Sequence, residues 1–268
     1  MSEDWLRATS RPVKKVHIDT AVPNVARVWN FLIGGRDNFD ADRRAATQLL
    51  SVAPVMAYAA PASRAFLRRS VGYLAAEAGI RQFLDIGTGI PTAGNTHEVA
   101  QAVDPACRVV YVDNDPVVLS HARAMLRSST GGVAFLDADA NQTAALLAGA
   151  RATLDFAKPV ALIMIDVLNF LADADQILAN LVRAVPSGSC LALMQPTEGE
   201  GFAAAARRWN GIAETPVFLR DRATVTRWLT GLHLVEPGLV EVNRWRPATD
   251  DPECPGPVPL LGAVARKP

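Results

Sequence analysis

Four apolar runs in this chain stop at an acid. Phe83-Leu84-Asp85-Ile86 leads into Gly87-Thr88-Gly89, and Arg108–Val112 leads into Asp113-Asn114-Asp115. Val133–Leu136 leads into Asp137-Ala138-Asp139, and Val160–Ile165 leads into Asp166-Val167-Leu168-Asn169. Carboxylates gathered without partners at one sheet edge would repel each other. They make sense around hydroxyls, amines or a cationic ligand. The pair Gly87 and Gly89 would let such a ligand approach the backbone, because no Cβ stands in the way.

Two kinds of cofactor use a glycine turn after a strand. A dinucleotide needs Gly-x-Gly-x-x-Gly at the start of a helix that faces pyrophosphate. Here the sixth position is Thr92 and Pro91 intervenes, so that pattern fails. The acid two residues before Gly87 is also ill placed beside a pyrophosphate, but it suits an ammonium or a sulfonium. S-adenosylmethionine carries both and has no phosphate. Asp113, with Asn114 beside it, is spaced to accept both ribose hydroxyls. Asp139 is placed to accept from the adenine amino group, with the backbone N–H of Ala140 serving the ring nitrogen. Gly87, Thr88 and Gly89 form the turn beneath the ligand, and Asp85 faces its charged end. Each part has a plain alternative. The glycines could make only a tight turn, Asp113 and Asp139 could only cap helices, and Asp166 could only line the pocket floor.

The elements that would position these residues can be read from periodicity. Val25, Val28, Trp29 and Leu32 share one helical face that Gly34-Gly35 ends. A second helix is expected from about Ala41 to Val52 with Asp40 as its cap, and a third from Pro61, with Leu67, Val71, Leu74 and Ala78 as its buried stripe. Strands are expected at Gln82–Ile86, Arg108–Val112, Val133–Leu136, Val160–Ile165 and Cys190–Met194. Helices are expected near Asn95–Ala102, Asp115–Leu126, Gln142–Ala150, Asp173–Ala184, Gly201–Glu214 and Arg222–Leu232. Leu234–Arg246 and Pro259–Ala265 read as two late strands able to pair antiparallel. Strands that alternate with helices and have nearly continuous apolar runs give an α/β fold, a mostly parallel sheet with helices on both faces. Residues 1–20 are polar and expected to lie loosely over the surface.

Bulk composition narrows the partners. The 268 residues carry 27 basic and 27 acidic side chains, so no net field favours nucleic acid or an anionic membrane. The three cysteines have neither disulfide nor zinc spacing. The N-terminal stretch lacks the apolar segment of a secretory signal, and no run is long enough for a spanning helix. The expected setting is cytoplasmic. The expected partners are a small-molecule substrate and at most a second copy in a homodimer, with neither nucleic acid nor membrane; no metal is expected.

The segments ARVWNFLIGGRDNFDADR, FLDIGTGIPTAGNTHEVAQ, RVVYVDNDPVVLSHARAML, KPVALIMIDVLNFLAD and LVEPGLVEVNRWRP resemble the actinobacterial S-adenosylmethionine-dependent methyltransferases first catalogued as a domain of unknown function. The resemblance runs from about Pro23 to Lys267. It implies a seven-stranded Rossmann-like methyltransferase fold with an antiparallel last strand, and cofactor binding by the acids named above. The expected division is an N-terminal helical extension or lid over 1–80 and a cofactor-binding domain over 81–268. Relatives often carry a histidine where this chain has Asn169, and a Ser-His pair where it has Gln195-Pro196. If those histidines serve catalysis in relatives, this chain has lost them.

The lid reading makes Arg36 and Asn38, in the unusual segment GGRDNFDADR, candidates for covering the cofactor. Arg64 and Arg68 share a helix face, where one could hold the methionine carboxylate or both could face solvent. Methyl transfer to a hydroxyl or amine needs a proton acceptor, and Asp166 and His97 are the candidates. Trp209 is a candidate for lining a substrate pocket. The Asn/Asp-Pro-Pro-Tyr motif of nucleic-acid amino-methylases is missing, which favours a small-molecule acceptor. The competing reading is a non-catalytic protein that senses S-adenosylmethionine.

Overall fold

A computed structural model describes residues 18–125, 132–199 and 201–268. The expected stretch 1–20 therefore lies outside the described residues up to position 17, as does Leu126. Three helices come first: α1 (Val25–Leu32), α2 (Asp40–Val52) and α3 (Met56–Ala76). Strands and helices then alternate as β1 (Gln82–Ile86), α4 (Thr96–Val103), β2 (Arg108–Asp113), α5 (Pro116–Met125), β3 (Val133–Asp137), α6 (Thr143–Ala150) and β4 (Ala161–Met164). The chain continues through α7 (Ala174–Ala184), β5 (Cys190–Pro196), α8 (Phe202–Asn210) and α9 (Arg222–Trp228). It closes with β6 (His233–Leu234), β7 (Val240–Glu241) and β8 (Leu260–Arg266).

The sheet has eight strands among the described residues, one more than expected, in the order β3-β2-β1-β4-β5-β8-β6, with β7 also paired to β8. The first five strands pair in parallel, and β8 runs antiparallel to β5. The chain builds outward from β1 to β3, then returns to place β4 on the other side of β1. The carboxyl ends of β1 and β4 therefore flank a crevice where connections leave in opposite directions, the usual ligand position in an open α/β sheet. Alternation along β1 puts Phe83 in one core layer, with α3 and α4, and Leu84 in the other, with α6, α7 and α9. Asp85 shares the face of Phe83, so its carboxyl points toward α3 and α4.

Three expectations are corrected. The third helix starts at Met56, not at Pro61, and holds the proline inside it. Tight i→i−3 bonds from Met56, Ala57 and Tyr58 close the turn before it, and the buried residues Ala59, Ala60 and Ala62 hold that turn in the core. The second helix begins at Asp40 itself, with Phe39 preceding it, and Asp42 rather than Asp40 accepts the Phe39 N–H at 2.8 Å. Leu234–Arg246 is not one strand. Pro237 has no N–H for a ladder, Gly238 turns at φ +85°, and Val242–Arg244 forms a single 3₁₀ turn. Trp245 from this stretch is fully buried, edge-on to Phe66 and Tyr73, while Arg69 donates to the Val242 and Trp245 carbonyls. The resemblance motif NRWRP is thus a plug that fixes α3 against the sheet.

α1 and α2 are locked together by a buried ion pair. Arg27 Nε donates to Asp42 Oδ2 at 2.8 Å, and Arg27 Nη2 donates to the carbonyls of Asp19 and Val22. Asp42 Oδ1 also accepts from the N–H of Asn24, 2.9 Å away. Removing one partner of such a pair leaves the other charge buried. Asp42→Ala is expected to cost about 3–5 kcal/mol in urea unfolding; a loss below about 1 kcal/mol would show that Arg27 escapes to water.

Candidate cofactor and acceptor site

A cavity of about 370 Å³ opens over the carboxyl ends of β1 to β5. Strand order orders its walls. The β2–β3 end carries Asp113, Asn114, Asp139 and Ala140; the centre carries Asp85 and Gly87 to Gly89; beyond β4 stand Asp166 and Asn169. Arg64 reaches in from α3, and Trp29 and Asn30 from α1.

The glycine turn splits into two roles. Gly87 sits at φ +74°, and a Cβ there would lie 2.5 Å from the Val167 side chain. Its bareness lets the loops after β1 and β4 touch. Gly89 sits at φ +67°, and a Cβ there would meet nothing within 4 Å. The space above it is open cavity, a cradle that a side chain would fill. The N–H of Gly89 donates to Asp113 Oδ2 at 2.9 Å, and Asp115 N–H donates to Asp113 Oδ1 at 2.9 Å. Both oxygens of Asp113 are thus oriented by backbone, and each keeps a lone pair for a ligand. Burial raises the Asp113 pKa despite these bonds. Asp139 does cap a short 3₁₀ turn, accepting from Asn141, and it lines the cavity as well.

Asp85 is buried, and its Oδ2 accepts from Thr96 Oγ1 at 2.6 Å. Desolvation lifts its pKa to about 6, opposed by Thr96 and by the Arg64 charge. Asp166 is lifted to about 7, again by desolvation first, opposed by a hydrogen bond from Ser63 Oγ and by Arg64. Its backbone lies at φ +60°, a left-handed conformation that aspartate and asparagine tolerate better than most residues. The Trp29 indole N–H favours the Asp166 anion electrostatically but makes no hydrogen bond of ordinary geometry. Arg64 is the one cation lining the cavity among the described residues, against Asp85, Asp113, Asp115, Asp139 and Asp166. Desolvation lowers its pKa, offset by the charges of Asp85 and Asp166.

The remaining candidates fall elsewhere. His97 does not line the cavity. The first turn of α4 faces inward, and its Nδ1 lies 2.9 Å from the Tyr111 hydroxyl, to which its own N–H also donates. The ring is buried and packs edge-on against Tyr111. Arg36 is exposed and Asn38 half-buried, and neither lines the cavity. Their segment folds around the buried Asn30, whose Oδ1 accepts from Asp37 N–H at 2.9 Å and Asn38 Nδ2 at 3.1 Å. Gln195 is buried and donates to the Pro196 and Phe218 carbonyls, away from the cavity. Trp209 does line the cavity. Ser63 and Asn30 are not among the expected site residues, and Trp29 is expected only on the buried face of the first helix. Ser63 precedes the anticipated Arg64 on α3, and that adjacency was its only signal.

The residues suit an adenosyl sulfonium: an open backbone cradle at Gly89, oriented acceptors at Asp113, an acid-rich wall and one guanidinium for a carboxylate. The chain matches the S-adenosyl methyltransferase family over residues 11–268. It belongs to that family. The methyltransferase is 40% identical to a DUF574 family protein from Streptomyces avermitilis, with a TM-score of 0.90 over 94% of this chain and 100% of that one. It is 35% identical to a Thermobifida fusca protein described as a methyltransferase candidate, with a TM-score of 0.86 over 93% of this chain and 96% of that one. It shares its fold with an O-methyltransferase family protein from Burkholderia thailandensis at 13% identity and a TM-score of 0.54, over 93% of this chain and 65% of that one. A search of curated proteins gives no match. The methyltransferase uses S-adenosylmethionine as cofactor. No helix among the described residues is long and apolar enough to cross a membrane.

Carboxyls with raised pKa values bind protons in the fold that they release in the unfolded chain. Stability then falls as pH rises from the unfolded value near 4 through about 6 and 7. The cofactor-free enzyme is expected to melt higher at pH 5 than at pH 7.5, and Asp166→Asn should flatten that slope while keeping the left-handed backbone. A melting temperature that rises between those pH values in both proteins would contradict the assignment.

Proposed function

We propose that this methyltransferase transfers the methyl group of S-adenosylmethionine to a small-molecule acceptor held beyond β4, with Asp166 as proton acceptor. The observation that carries the reading is the continuity of one cavity from the Asp113–Gly89 cradle past Asp166 to an apolar end under α8. In this reading Asp113 and Asn114 hold the ribose, Asp139 and Ala140 the adenine, and Arg64 the methionine carboxylate. Asp85 and Asp166 face the positive end of the cofactor. Bound there, S-adenosylmethionine supplies an electrophilic methyl carbon whose bonding pair to sulfur leaves with the sulfur.

The chain's own contribution is to orient, dry and deprotonate. Burial lifts the Asp166 pKa to about 7 in the cofactor-free fold; ionised by the incoming cation, its carboxylate can take the proton of the acceptor and return it to water. Residues 18–80 act as a lid in this scheme, since α1 walls the cavity through Val28 and Trp29 and through its N-cap Asn24. Asn24 ties the lid to the head of α5 by donating from Nδ2 to Asp115 Oδ2 at 2.6 Å. Asn169 and Pro196, where the resemblance leads one to expect histidines, are compatible with catalysis by Asp166. Binding of S-adenosylmethionine with no methyl transfer to any metabolite fraction would favour the sensing alternative.

Gly89→Val places a β-branched side chain in the cradle at an unfavourable φ. Calorimetric affinity for S-adenosylhomocysteine is expected to fall at least about tenfold, the equivalent of 1.4 kcal/mol. Unchanged affinity would place the cofactor elsewhere. Label from methyl-labelled cofactor should appear in a small-molecule fraction of an extract, and label confined to protein or RNA would contradict the acceptor class.

A further inference from the structure

The acceptor end of the cavity differs chemically from the cofactor end. It is walled by the end of α2, by α8, by segment 215–219 and by the start of β8. Leu49, Met56, Phe202, Trp209, Val217 and Leu260 are among the residues that line it. Apart from Asp166, no charged side chain lines this end among the described residues. A sugar, nucleotide or peptide would leave polar groups there without hydrogen-bond partners, at a cost of about 1–3 kcal/mol each.

Two polar side chains, Thr215 and Asn169, interrupt the apolar wall, and Asn169 is the buried one. Asn169 is 4% exposed, and its carboxamide makes no side-chain hydrogen bond among the described residues; Oδ1 is fully buried without a partner. The backbone around it is held firmly. Phe218 N–H donates to the Asn169 carbonyl at 2.7 Å, Arg220 Nη1 donates to the Leu168 carbonyl at 2.9 Å, and Arg220 Nη2 donates to the Leu171 carbonyl. The amide thus sits on a held backbone, with its Oδ1 unsatisfied, on the same strand exit as Asp166, three residues along the chain.

We infer that the methyl acceptor is a neutral, largely apolar, ring-sized compound with one hydroxyl group, presented to Asp166 and oriented by the Asn169 carboxamide. The inference rests on the methyl-transfer reading and names its substrate class. A lone pair of the hydroxyl oxygen forms the new bond to carbon, the carbon–sulfur pair stays on sulfur, and the hydroxyl proton passes to the Asp166 carboxylate and then to water. Asn169 is a positioning residue that recovers a hydrogen bond only when a polar ligand group arrives.

The test is binding to the full chain saturated with S-adenosylhomocysteine, measured by calorimetry. The probes are 1-naphthol, naphthalene and 1-naphthalenesulfonate. 1-Naphthol is expected to bind about tenfold more tightly than naphthalene, one buried hydrogen bond's worth, and the sulfonate should not bind. Asn169→Leu should remove the advantage of 1-naphthol while leaving naphthalene affinity within about twofold. Ala206→Trp, which fills the apolar end, should abolish binding of both neutral probes while S-adenosylhomocysteine still binds. Preference for the sulfonate, equal binding of both neutral probes, or unchanged 1-naphthol binding in Ala206→Trp would overturn the inference and leave the cofactor reading intact. Failure of S-adenosylhomocysteine itself to bind the unaltered chain would overturn the methyl-transfer reading and the inference with it.

Discussion

Two carboxyl groups, the buried Asp85 and the half-buried Asp166, stand at the crevice between β1 and β4, and the guanidinium of Arg64 faces both. That imbalance governs the rest of the site. Desolvation disfavours both anions, and one arginine cannot neutralise two acids together with Asp113. The site is therefore short of positive charge as folded. A ligand that brings a sulfonium and an ammonium completes it, whereas a pyrophosphate would deepen the conflict. The electrostatics that make the pocket unfavourable when empty favour a cationic ligand over an anionic one.

The surrounding structure holds those acids in place against that cost. Thr96 on α4 and Ser63 on α3 donate to Asp85 and Asp166 respectively, so the two helices on one face of the sheet each secure one acid. Trp245, packed edge-on against Phe66 and Tyr73, fixes α3 from the far side. The left-handed backbone of Asp166 turns the chain sharply at the end of β4, and Gly87 lets Val167 come close enough for that turn to fit. Core packing and site chemistry are joined through α3, which touches both.

Much of this could be read from residue order, for physical reasons. Buried parallel strands are short, apolar and punctuated, so Gln82–Ile86 was located to the residue, and Arg108–Asp113 and Val133–Asp137 each run one residue past the expected end. Acids at strand ends are conspicuous because the preceding residues are not polar. Gly89, Asp113, Asp139 and Asp166 all line the cavity for that reason. Helix-borne contributions were less legible. A helical stripe shows that one face is buried but not what it meets, so Trp29 is legible as a buried residue but not as a cavity wall, and Ser63 and Asn30 are not legible at all. His97 stood close in sequence to the glycine turn, yet the first turn of α4 rotates its ring onto Tyr111. Arg36 and Asn38 looked like ligands because their segment is unusual, and the structure explains that oddity by the packing of Asn30 against Gly35, where a Cβ would lie 2.3 Å from the amide. The late strand was broken by Pro237 and Gly238, whose effect apolar periodicity understates.

The charge deficit at Asp85 and Asp166 is measured most directly by the protons exchanged when the cofactor binds. Calorimetry of S-adenosylmethionine binding at pH 6.5, in buffers of differing ionisation enthalpy, should show net proton release, because the incoming cation drives partly protonated carboxyls to ionise. Asp166→Asn should reduce that release. Binding with no proton exchange, or with net uptake, would show that these acids are already ionised in the free enzyme and would contradict the account.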